Sequence, residues 1–170
     1  MALRDLLQPR AGKPSAAPPT SRPLAPGTRI GYDPQLIKRL RADHQRMLEI
    51  FTQTQSLLTT HDYDGVKRKL GELRIALQDH LMTANVKFYV YVSRHLTADP
   101  AKTAIINEYR REMLANSRQI MDFLRTYSAV RLDDTFADTF QIELLMIGSA
   151  LVQRIEREQS TLFPLYQASY

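Results

Sequence analysis

The stretch DPQLIKRLRADHQRMLEIF (residues 33–51) predicts a helix that carries a histidine on its apolar face. Asp33 can cap a helix, and Pro34 suits the first helical position because the N–H that proline lacks would be unpaired there. His44 shares a stripe with four apolar residues at helical spacing. These residues are Leu40, Met47, Leu48 and Phe51. The helix therefore turns a polar, titratable side chain towards the protein core.

Similar start signals recur three more times along the chain. The further cap candidates are Asp62 or Asp64, the Asp99-Pro100 pair and the Asp133-Asp134 pair. The predicted helices cover residues 34–59, 63–97, 100–128 and 134–166. Connections of only a few residues make neighbouring helices antiparallel, and no alternation with period two predicts a strand. We expect an all-α, up-down-up-down four-helix bundle.

The first part of the chain has a different composition from the rest. Six of the nine prolines fall within the first 30 residues, so residues 1–32 are predicted to be a disordered basic tail and residues 33–168 a single folded domain. The formal charge is +5, and residues 1–30 carry +4 of it through five basic side chains and one acid. The remaining +1 leaves the bundle nearly neutral, which argues against a nucleic-acid-binding surface.

Cysteine and apolar runs place further limits on the kind of protein. The chain has no cysteine, which excludes disulfides and thiolate metal sites. No apolar run approaches the ~20 residues that a membrane span needs, and the N-terminus lacks the pattern of a signal peptide. We expect a cytoplasmic protein without a membrane span.

Polar side chains interrupt the inward stripes of all four predicted helices. Besides His44, they are His80 on the second helix, Tyr109 on the third, and Arg154 and Glu158 on the fourth. Bundles build metal sites from such inward side chains, and burying them without mutual partners would be costly. We expect them to meet in the core. The other two histidines, His61 and His95, lie at helix ends, where we expect exposure to solvent and assign no role.

Four segments of the chain resemble the hemerythrin-like, or HHE cation-binding, family over nearly all of residues 34–168. The segments are LRADHQRML, ALQDHLMTANVKFYVYV, NEYRREM and LVQRIEREQSTLFPLY. In that family, two irons are held by histidines from the four helices and bridged by carboxylates from the second and fourth. The resemblance implies that His44 and His80 match the histidines of the first iron, and Glu158 the bridging carboxylate of the fourth helix.

The ligands of the second iron are missing from this pattern. Ala84 occupies the position of the family's second-helix carboxylate. Tyr109 and Arg154 occupy the positions of the histidines on the third and fourth helices. Two interpretations follow. His44, His80 and Glu158, with a possible Tyr109 phenolate, could hold one Fe, Mn or Zn ion. Alternatively, Arg154 and Glu158 form a core ion pair that replaces the metal and leaves the protein without a cofactor, which we prefer.

The preferred functional hypothesis is a non-enzymatic bacterial regulatory or adaptor protein that binds another protein. No phosphate loop, HExxH motif or cysteine nucleophile indicates an enzyme. The segments MLANSRQIMDFLRTYS and GSALVQRIEREQSTLFPLY resemble the regulator-of-sigma-D/AlgQ family, whose members bind a sigma factor. The alternative is a mononuclear iron, oxygen or redox sensor that uses His44, His80 and Glu158.

Overall fold

Four long helices make up the fold. The computed structural model describes residues 24, 27, 29–96 and 99–168. Helix α1 is Leu36–Thr59; α2 runs through Tyr63–Thr83, a π-helical segment Ala84–Tyr89 and Val90–His95; α3 is Pro100–Ala129; α4 runs through Asp134–Arg157, a π-helical segment Glu158–Leu162 and a 3₁₀ turn Phe163–Leu165. Within the described ranges there is no strand, only an isolated antiparallel bridge between Leu24 and Gly31. The predicted all-α four-helix bundle is confirmed.

Side-chain caps set three of the four helix starts. Asp62 accepts a hydrogen bond from the Gly65 N–H before α2, and Asp99 accepts one from Lys102 before α3. Asp133 caps α4 in the same way. Each side chain satisfies an N–H that the first turn of a helix leaves unpaired. These three caps agree with the sequence prediction.

The start of α1 differs from the prediction, which placed the cap at Asp33. The helix begins at Leu36, and Gln35 occupies the cap position without a side-chain hydrogen bond. Asp33 instead accepts from the Gln35 N–H, while its own N–H donates to the Tyr166 hydroxyl over 2.8 Å. Asp33 therefore links the segment before α1 to the end of α4 by a hydrogen bond, one turn before α1 begins.

Two apolar cores lie along the bundle, one towards each end. One is formed by residues such as Leu70, Leu124 and Phe140. The other is formed by residues such as Leu40, Phe88 and Leu162. Every long helix contributes residues to both cores. The inward polar side chains lie between the two cores. We call this level of the bundle the polar layer, defined by His44, His80, Arg154 and Glu158.

Most of the predicted tail lies outside the described residues. Ile30 and Tyr32, which the prediction assigned to it, pack against the apolar core that contains Phe88. The Tyr32 ring stacks on Tyr166, with 5.1 Å between the centroids. The chain that leads into α1 is therefore held against the bundle from at least Ile30.

Helix α4 is unusually apolar. In the described part of the chain, Asp134–Leu165 is the one helix whose length and composition would allow it to cross a membrane, although only 28% of its most apolar window is buried in the protein. A core helix normally hides its apolar residues from water. Many apolar side chains of α4 therefore point outwards from the bundle.

Candidate metal centre

His44, His80 and Glu158 meet in the polar layer, as the sequence analysis expected. They come from α1, α2 and α4, and their exposed fractions are 1%, 4% and 3%. One donor atom from each lies within 4.8 Å of the other two. Three metal-binding side chains that are distant in sequence therefore form one compact, buried group.

The spacing of their donor atoms suits a single metal ion. The Nε2 atoms of both histidines face the same carboxylate oxygen, Glu158 Oε2, at 2.8 Å for His44 and 3.5 Å for His80. Ligand atoms that share one ion at roughly 2.0–2.2 Å lie about 3.0–3.5 Å apart in tetrahedral or octahedral geometry. The two distances to Glu158 Oε2 lie close to this range, and all three donor atoms lie within 4.8 Å of one another.

Both histidines also have polar neighbours on the side away from Glu158. His80 Nδ1 lies 3.6 Å from Asp43 Oδ2, and His44 Nδ1 lies 3.4 Å from the side-chain nitrogen of Gln159. The ring of Phe163 stacks on His44, with centroids 5.6 Å apart. Outer partners of this kind fix the ring orientation and the tautomer of a ligating histidine. Asp43 and Gln159 could not be predicted from the sequence, because each is the chain neighbour of an inward residue and lies off the apolar stripe.

Arg154 occupies the other side of the Glu158 carboxylate, where the sequence placed the core ion pair. Its Nη2 atom donates to Glu158 Oε1 over 2.5 Å and to the Tyr89 hydroxyl over 3.0 Å. Its Nη1 atom donates to the Tyr109 carbonyl over 3.3 Å. Glu158 therefore divides its oxygens, with Oε1 paired to Arg154 and Oε2 facing the histidines. The ion pair leaves the histidine-facing oxygen in place.

Tyr109 does not join the group as a phenolate. Its half-buried ring lies under the Arg157 guanidinium, 5.0 Å from the centroid, and only its backbone carbonyl touches the polar layer. Tyr89 supplies the phenol instead, and burial raises its pKa to about 12, which keeps the hydroxyl neutral. The π-helical segment of α2 turns Tyr89 inwards beside Phe88. A regular α-helical period gives no signal for this second inward residue.

A cavity of about 30 Å³ adjoins the group. Its walls include both histidines, Arg154 and Glu158, with apolar side chains from all four helices and Asn116 and Ser117 from α3. One water needs roughly 10–15 Å³ by this measure, so the space suits one or two waters or a small ligand. Asn116 and Ser117 are half-buried, and nothing in the sequence distinguishes them from the solvent-exposed polar residues of α3.

The electrostatics separate the two histidines. Burial lowers the pKa of His44, even though its hydrogen bond to Glu158 acts in the opposite direction. Burial also disfavours charge on His80, but the carboxylates of Asp43 and Glu158 outweigh it and raise the His80 pKa. Glu158 is buried as well, yet both histidines and Arg154 hold its pKa well below the usual range. The group therefore contains a firmly ionised carboxylate and one neutral imidazole.

The remaining histidines lie apart from this group. His61 is exposed, as predicted, and its Nδ1 lies 2.9 Å from both the Tyr63 hydroxyl and Asp134. His95 differs from the prediction of solvent exposure, because it is half-buried and its ring stacks on Tyr91 at 5.9 Å. The last turn of α2 packs against the bundle on one side, and His95 lies on that side.

The residues do not fit a second metal ion. Ala84 is buried and has no donor atom, Tyr109 is turned towards Arg157, and Arg154 places a fixed positive charge at the remaining position. A guanidinium does not lose its proton in proteins and repels a cation. The centre can thus hold one metal ion, and a di-iron centre is not possible with these side chains.

Comparisons with known proteins give one match. The family model of the hemerythrin HHE cation binding domain matches residues 35–166. No curated protein and no solved structure matches the chain. The match covers all four helices and every residue of the polar layer, and the bundle has the architecture that the family resemblance implied. This chain belongs to the hemerythrin HHE cation-binding domain family.

Proposed function

We propose that this protein binds a single divalent transition-metal ion through His44, His80 and Glu158 and serves as a metal-dependent regulatory protein. The observation that supports this most strongly is the arrangement of three buried donor atoms around one point, with both histidine Nε2 atoms facing Glu158 Oε2. This preference reverses our expectation from sequence that the centre works without a cofactor.

The surroundings of His80 fit a metal-ligating role. Its Nδ1 faces Asp43 and has no hydrogen-bond partner among the described residues. A metal ion at Nε2 would have to displace the proton that the raised pKa of His80 favours there, while Asp43 would keep the proton on Nδ1. Asp43 is thus placed where the outer carboxylate partner of a ligating histidine would lie.

Arg154 explains how one ion can replace two. Its guanidinium neutralises the Glu158 oxygen that a second ion would use, over 2.5 Å, and Tyr89 and the Tyr109 carbonyl hold it there. Two imidazoles and one carboxylate are a ligand set for Fe(II), Mn(II) or Zn(II). When bound, iron or manganese would supply redox chemistry and an open coordination position, and zinc a fixed charge.

A regulatory role fits this centre better than catalysis. The cavity beside the three donors is only about 30 Å³, so there is no space for an organic substrate of ordinary size. Binding or loss of an ion would instead change the charge balance of a layer that joins α1, α2 and α4. We infer that the packing of these helices reports the state of the metal to a partner protein.

A metal-free adaptor is the second candidate, and the Arg154–Glu158 pair favours it. The pair is buried and its guanidinium makes three hydrogen bonds. Such a pair can complete a core without an ion. In this case the polar layer would be a structural element, and the protein would act through its surface alone.

The test compares metal-induced stabilisation of four proteins in full length, stripped of metal with a chelator. A ligand that binds only the folded state raises its stability with concentration. We expect Zn(II), and Fe(II) under anaerobic conditions, to raise the melting temperature of the wild type and of His95→Ala, but not of His80→Ala or Glu158→Gln. Circular dichroism checks that each variant folds. Equal responses of His80→Ala and His95→Ala, or no response of the wild type, would favour the metal-free adaptor.

A further inference from the structure

The outward face of α4 is an apolar surface that the metal centre does not explain. Between Thr139 and Gln153 the helix has one charged residue, Glu143. Four large apolar side chains on this stretch are exposed to solvent: Ile142 by 62%, Leu145 by 49%, Met146 by 62% and Val152 by 40%. We call these four residues, together with Ser149, the α4 face. Their spacing of three and four places them on one side of the helix.

Other helices also expose apolar residues, but charged residues accompany them. On α2, Ile75, Met82 and Val86 are exposed, with Arg74 and Asp79 beside them. The solvent-exposed face of a helix normally carries charged side chains in this way. Contiguous exposed apolar patches on soluble proteins usually mark a binding surface. Among the exposed apolar surfaces of the described helices, the α4 face is therefore the one that we expect to bind a partner.

The shape around the α4 face favours another helix as the partner. A groove of about 290 Å³ lies on the α1 side and includes Leu145 in its wall. A groove of about 440 Å³ lies on the α3 side and includes Met146. A ridge between two grooves is the surface that a second helix packs against, because its side chains enter the grooves while Ser149 permits close approach.

The charges at the two ends of the face match those of a second, antiparallel copy. Asp138 precedes the apolar stretch and Arg157 follows it, and both are exposed. In an antiparallel pair that brings Met146 of one helix opposite Ser149 of the other, residue 138 falls opposite residue 157. Two-fold symmetry therefore gives two Asp138–Arg157 pairs, one at each end. Arg157 already contacts Glu112 at 3.0 Å, with about half of its side chain exposed for a further partner.

We propose that the protein forms a two-fold symmetric dimer in which the α4 faces of two copies pack antiparallel. The crossing is shallow, near 20° as in helical bundles, because a steeper angle would separate the terminal charges. The paired stretch covers about four helical turns, or roughly 20 Å. Each α4 also carries Arg154 and Glu158 on its inner side. The two paired α4 helices therefore connect the proposed metal centres of the two copies.

Light scattering coupled to gel filtration of the full chain tests this proposal. We expect the wild type to have twice the chain mass of 19.6 kDa, and Met146→Glu to be a monomer with unchanged helicity. The matched control is Met82→Glu, since Met82 is 70% exposed on α2; this variant should stay a dimer. A monomeric wild type, or a dimer that Met146→Glu leaves intact, would overturn the proposal.

Charge reversal tests the antiparallel register. Asp138→Arg places two like charges together at each end of the pair and should weaken the dimer about tenfold. Combining it with Arg157→Asp should restore the wild-type dissociation constant. A double variant as weak as the single one would overturn the register. Sedimentation of a monomeric wild type with phospholipid vesicles would overturn the dimer as a whole and assign the face to a membrane.

Discussion

At the residue scale, the chemistry of the centre depends on how Glu158 shares its charge. One oxygen pairs with Arg154 at 2.5 Å and the other faces His44 at 2.8 Å. The carboxylate is buried, so removing Arg154 would leave its charge uncompensated in a medium where charges are costly, whereas removing His44 would cost one hydrogen bond. Arg154 thus stabilises the protein without metal while it reduces the attraction of Glu158 for a cation.

The substitution Arg154→Leu separates these two effects. It should lower the free energy of unfolding of the metal-free protein by about 3–5 kcal/mol, because Glu158 loses its buried counterion. It should also tighten metal binding, since the fixed positive charge is gone. Urea unfolding gives the first quantity, and titration calorimetry with Zn(II) the second.

The matched control for this experiment is Arg125→Leu. Arg125 pairs with Asp122 at 2.9 Å, but its side chain is 80% exposed, and exposed pairs contribute about 1 kcal/mol or less. If Arg154→Leu cost no more than Arg125→Leu, the buried pair would have no structural role. If it weakened metal binding, the opposition between Arg154 and the metal would be wrong.

Glu158 also predicts how stability changes with pH. Its pKa in the folded protein lies below the unfolded value of about 4.5, so the ionised form stabilises the fold above that pH and the contribution is lost as the pH falls. Glu158→Gln should therefore be less stable than the wild type by about 3 kcal/mol or more at neutral pH, and the difference should shrink in acid. Urea unfolding at a series of pH values measures it. Glu156→Gln, at an exposed position on the same helix, should show no such convergence.

At the element scale, two π-helical segments adjust the helices around the centre. Ala84–Tyr89 follows His80 by one turn, and Glu158–Leu162 begins at the carboxylate that we propose as a ligand. The wider turn in α2 buries both Phe88 and Tyr89, so the Tyr89 hydroxyl reaches Arg154. Segments of this type are frequent at functional sites. A regular helical period does not bury two consecutive residues on one face, so the inward position of Tyr89 could not be predicted from the sequence.

The close contact of α1 with α4 depends on Gly148. An alanine Cβ at this position would overlap the Phe51 ring. Gly148→Ala should therefore destabilise the protein by about 1–3 kcal/mol through overpacking, although alanine is the better helix former. Thermal unfolding measures the change.

Gly71 on α2 supplies the control for this substitution, because an added Cβ there would meet no atom within 4 Å. Gly71→Ala should stabilise the protein by roughly 0.5–1 kcal/mol, as expected for a helix interior. Stabilisation by Gly148→Ala of the same size would show that α1 and α4 are not in close contact at Phe51.

At the scale of the whole molecule, the fold could be predicted because its signals are local. Asp62, Asp99 and Asp133 mark helix starts whichever way the helices pack, and the apolar stripes define the inner faces. The centre could be predicted only in part. His44, His80 and Glu158 lie on those stripes, whereas the position of Tyr109 under Arg157 depends on contacts between helices.

The polar layer lies between two apolar cores, and this position explains why one helix bundle can combine stability with a binding site. The cores on either side hold α1, α2 and α4 at a fixed separation, so the donor atoms stay together without an ion. A change of charge in the layer then acts on all three helices at once. Through α4, it also acts on the surface that we assign to the dimer.

The most direct test of the metal centre is elemental analysis of the full-length protein, purified without a metal-binding tag and loaded with iron under anaerobic conditions. We expect one ion of iron, manganese or zinc per chain, because Arg154 excludes a second ion. The ion should be absent from His80→Ala, which lacks one of the three donors. Two ions per chain would contradict the role of Arg154, and no ion under any condition would contradict the metal centre.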